Sequence, residues 1–68
     1  MTLEEYNQRY ETIIQGNFSD EQKDEMLASL MTEMEQAFDI PILRDEAWEA
    51  ANKDVVALYR KVTMSRKL

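Results

Sequence analysis

The chain has 68 residues, a net charge of −6, a single glycine and a single proline, and neither cysteine nor histidine. That composition excludes a disulfide scaffold, a zinc site of nitrogen and sulfur ligands, Ser-His and Cys-His nucleophile pairs, and the glycine-rich loops that cradle phosphates. The charge is also unevenly spread: residues 1–49 hold thirteen acids and three bases, whereas residues 50–68 hold one acid and five bases.

The first element starts at Thr2. With Glu5 three positions on, it forms a capping box in which each side chain satisfies an orphan backbone amide at the other residue. Leu3, Tyr6, Tyr10, Ile13 and Ile14 then recur at spacings of three and four, which predicts an amphipathic helix over 3–15. Gly16 suits a left-handed stop.

Ser19 and Gln22 repeat the device, with Asp20 and Glu21 at the positive end of the helix dipole. Leu27, Leu30, Met31, Met34 and Phe38 continue the apolar stripe, so a second helix is expected over 20–38. Pro41 then biases Ile40 away from helical dihedrals.

Residues 39–43 read Asp-Ile-Pro-Ile-Leu, an apolar composition for a connection, and the expectation is that they plug the open end of the helix pair. Beyond them Asp45 caps a third helix. Trp48, Ala51, Val55, Leu58 and Val62 follow a three-four-three-four seam that argues for one helix over 46–65. Asn52 and Asp54 are acceptable N-caps, and a break near Asn52 is the alternative. Trp48, the largest apolar group, is expected to anchor the core.

These elements predict an all-α fold: a small three-helix bundle or orthogonal helical array in one domain spanning 1–68. A chain this short buries only about 60% of its unfolded surface, so its core must be thin. No apolar run approaches the ~20 residues needed to cross a bilayer. Acids at Glu4 and Glu5 do not suit a signal peptide, and a cytoplasmic protein is expected.

For function the sequence points away from catalysis, cofactors and metals. Glu33 and Glu35, or Asp45, Glu46 and Glu49, lack calcium-loop spacing and read better as solvated helix faces. Six acids lie in or beside first turns, where the dipole accounts for them; Glu33, Glu35 and Asp39 instead crowd the end of the second helix, where negative charge is disfavoured. Compensation is expected either from the basic end of the third helix folding back or from a basic partner.

The leading expectation is therefore a helical protein that binds another protein. Its candidate contacts are Met31, Glu33, Met34, Glu35, Asp39, Ile40, Ile42 and Leu43. A homodimer that completes a thin core is a second reading. The third concerns nucleic acid: direct contact through Arg60, Lys61, Arg66 and Lys67, or imitation of DNA by the acidic face. The overall negative charge disfavours direct contact.

Overall fold

The computed structural model describes residues 2–66. Among these residues there are four helices and no strand: α1 Leu3–Gln15, α2 Asp20–Ala37, α3 Glu46–Ala51 and α4 Lys53–Ser65. Helices α1, α2 and α4 form a three-helix bundle, and α3 meets only α4. No helix among the described residues is long and apolar enough to cross a membrane.

Both capping boxes form. The Thr2 hydroxyl accepts from the Glu5 amide while the Glu5 carboxylate accepts from the Thr2 amide, and Ser19 and Gln22 do the same for α2. Gly16 ends α1 in an extended conformation, φ −71° and ψ 158°, and not in the expected left-handed one. Its value lies in space: a Cβ there would stand 2.3 Å from Cε2 of Phe18 and 2.9 Å from the Thr12 carbonyl oxygen.

The stop at the end of α2 falls on Asp39 instead, at φ +55°. The Ile40 amide reaches back 3.0 Å to the Glu35 carbonyl, the six-to-one bond of a Schellman turn. Ile40 then packs against the core.

Tyr6, Tyr10 and Ile13 from α1, Leu27, Leu30 and Met34 from α2, and Leu58 and Val62 from α4 make up the core. Leu27, Leu30, Met34 and Val62 are its most enclosed members, and Tyr6 meets Phe38 edge-on at 5.5 Å. The radius of gyration is 12.0 Å, against about 11 Å for an ordinary domain of this length. An elongated bundle with a narrow core follows.

Polar pairs fix how the helices run. Arg9 forks onto Glu33 with both bonds at 2.8 Å, so α1 and α2 are antiparallel. Tyr59 donates to Glu35, Thr63 lies beside Met31, and Arg66 forks onto Asp24 at 3.0 and 3.1 Å, so α4 is antiparallel to α2 along its whole length. Tyr10 meets Ser65 at 2.7 Å. Because the Ser65 hydroxyl donates to the Lys61 carbonyl at 2.8 Å, its oxygen accepts from Tyr10.

This register corrects the expectation of one helix over 46–65. Tyr59 already faces Glu35, near the end of α2, so a straight helix would carry Ala51 and Trp48 past the end of α2 with nothing to bury them. The chain breaks at Asn52, φ −130° and ψ 45°. Trp48 consequently leaves the core it was expected to anchor and sits half-buried at the bundle's end, and Ala51 is exposed.

Candidate functional site

The break creates the site. From residue 40 the chain crosses the open end of the bundle, Asp45 caps α3 by accepting from the Trp48 amide at 3.0 Å, and α3 stands away from α2. Between the crossing segment, α3 and the flank of α4 lies a groove of about 320 Å³. Ile40, Pro41 and Trp48 line it together with Val56, Tyr59 and Met64.

The expected plug is only partial. Ile40 turns inward, but Ile42 and Leu43 are 102% and 82% exposed, and Met64 across the groove is 84% exposed. These three are joined only by Phe18, at 37%, as exposed large apolar residues among those described. A wider cleft of about 550 Å³ between α1 and α2 is walled mostly by polar side chains, among them Glu5, Gln8 and Arg9, and no exposed apolar residue borders it.

Two arginines flank the groove and share one carboxylate. Arg60 Nη2 lies 3.4 Å from Glu49 Oε1 and Arg44 Nε lies 3.7 Å from Glu49 Oε2. At its inner edge the Tyr59 hydroxyl donates to Glu35. Burial first, then the hydrogen bond to Glu35 and its negative charge, push the Tyr59 phenol up to about 12.

The predicted contact residues separate into two groups. Ile40, Ile42 and Leu43 come together at the groove. Met34 is fully buried and serves the bundle interior, whereas Met31 packs half-buried against the core. Sequence reasoning missed Trp48, Tyr59 and Met64 as companions of residues 40–43, because only the bend at Asn52 brings α3 and α4 around that segment.

The uncompensated acids find other solutions than the expected one. Arg66 lies beside the start of α2, since the two helices are antiparallel, and pairs with Asp24, while Arg60 pairs with Glu49 and the Lys61 ammonium stands over the Tyr10 ring. Arg9 takes Glu33 and holds its carboxyl below the usual range, chiefly through their hydrogen bonds. Glu35 takes the Tyr59 hydroxyl, and Asp39 is exposed in the turn.

Three of the four residues expected to contact nucleic acid are met within the chain. Arg60 pairs with Glu49, the Lys61 ammonium stands 5.6 Å from the Tyr10 ring centroid, and Arg66 forks onto the buried Asp24. Lys67 lies outside the described residues. Compared with protein families, curated proteins and solved structures, the chain matches none.

Proposed function

We propose that this protein works by binding another protein in the groove formed by residues 40–45, α3 and α4, and not by catalysing a reaction. The observation that carries this reading is the clustering of Ile42, Leu43 and Met64, all strongly exposed, around a concave apolar surface. Single exposed apolar residues need no explanation, but a contiguous patch with a polar rim is characteristic of an interaction site. Without histidine or cysteine the commonest general bases and thiol nucleophiles are missing.

Ile42→Ser with Leu43→Ser tests it. Both side chains touch little of their own protein, so the double variant should unfold within about 0.5 kcal/mol of the parent. It should also lose capture of a specific partner by the immobilised protein, and in the parent that partner should shift the Trp48 indole resonance. Capture that survives the double substitution would remove the groove from the reading.

A further inference from the structure

We infer that the groove's occupant is an amphipathic helical segment of another protein that carries a carboxylate next to its large apolar side chains. This rests on the docking reading above and adds the partner's chemistry to it.

The helical form follows from the walls. No strand exists among the described residues, so there is no sheet edge for an extended peptide to join. A groove between helices instead accepts side chains spaced three and four apart on a helix.

The carboxylate follows from the hydrogen-bonding surplus at the rim. Elsewhere in this molecule the arginines bind tightly: Arg9 to Glu33 at 2.8 Å and Arg66 to Asp24 at 3.0 Å. Arg44 and Arg60 do not, standing 3.7 and 3.4 Å from the same Glu49 with side chains 72% and 65% exposed. Two guanidiniums thus share one carboxylate, and both side chains are largely exposed. The other acid on the lining, Asp45, accepts from the Trp48 amide at 3.0 Å, and neither arginine pairs with it in an ion pair within 4 Å among the described residues. What remains for a visitor is a pair of planar forks beside an apolar trough, the geometry that binds carboxylates bidentately.

A second copy fits less well. It would bring one net charge of −6 against another, a repulsion that opposes encounter.

The test is a display selection on the immobilised full chain. The library would hold helical peptides with a fixed apolar face and randomised acidic, basic or neutral flanks. Enriched peptides would then be synthesised and titrated while reading the emission of Trp48, the sole tryptophan. The expected result is enrichment of Asp or Glu next to the apolar positions. Replacing those acids by Lys should weaken binding by about tenfold at low salt, and Arg44→Glu with Arg60→Glu should reverse the preference.

Peptides that need Ile42 and Leu43 but show no preference for acids would overturn the carboxylate and leave the docking reading standing. A selection that enriches nothing, or peptides indifferent to the Ile42→Ser and Leu43→Ser changes, would remove the docking reading itself. Light scattering that shows a dimer dispersed by Leu43→Ser would assign the groove to a second copy and overturn the inference.

Discussion

The side-chain amide of Asn52 donates to the main-chain carbonyl of Trp48 at 2.9 Å. In a continuous helix that carbonyl would accept from the Asn52 backbone amide, but here the backbone amide turns to Glu49 at 3.2 Å. Asn52 thus caps α3 with the atom that replaces the lost bond, while making no side-chain cap for α4. The same residue ends one helix and permits the bend on which the groove depends.

Asn52→Ala removes the replacement donor and raises helix propensity by roughly half a kcal/mol. The expected outcome is a partial merger of α3 with α4, read as increased helical circular dichroism and a red-shifted Trp48 emission as the indole leaves the groove. Unchanged emission and helicity would mean that packing of the crossing segment, and not Asn52, holds the bend.

Trp48 and Leu30 should differ sharply in cost. Leu30 is fully buried between the helices, and Leu30→Ala should lose about 2 to 5 kcal/mol. Trp48→Ala should lose about 1 kcal/mol, the ordinary cost of a half-buried substitution. Urea denaturation of both variants checks this, and a Trp48→Ala loss as large as that of Leu30→Ala would restore the indole to the core.

The Tyr59 phenol gives the fold an alkaline limit. Its folded value of about 12 lies above the ordinary 10.0, so the native state favours the neutral hydroxyl. That contribution is fully present below pH 10 and is lost as pH rises through the interval to 12. Tyr59→Phe should cost about 0.5 to 1.5 kcal/mol at neutral pH. The gap to the parent should then narrow between pH 10 and 12 in denaturation curves. A gap of constant size across that interval would contradict the assignment.

Arg66 closes the far end of the bundle. Its guanidinium forks onto Asp24, whose side chain is 9% exposed. Arg66→Ala would take that counter-charge from a carboxylate held out of water, and the variant should unfold at lower urea than the parent. Replacing both partners by apolar residues should cost less than the single change, and a full double-mutant cycle in urea measures the difference.

Asp39 is a site for stabilisation. It holds a left-handed conformation at φ +55° and puts a negative charge at the negative end of the α2 dipole. Asp39→Gly relieves both, for a gain of about 0.5 to 1 kcal/mol. In a domain of this size that corresponds to roughly 2 to 8 °C in Tm, readable by calorimetry.

Taken alone, the sequence determined what depends on neighbours along the chain. The capping pairs Thr2 with Glu5 and Ser19 with Gln22, the spans of α1 and α2, and the inward stripe of tyrosines, leucines and Val62 are local signals, repeated every three or four residues, and they specify an all-α bundle. Tertiary structure decided what depends on where helices end relative to one another. The seam through Trp48 and Ala51 has helical spacing, yet α2 stops opposite the start of α4, and a seam with no facing helix buries nothing. The chain therefore bends at Asn52, and Ile42 and Leu43 become the exposed edge of a groove because burial depends on what stands opposite a residue, which periodicity does not encode.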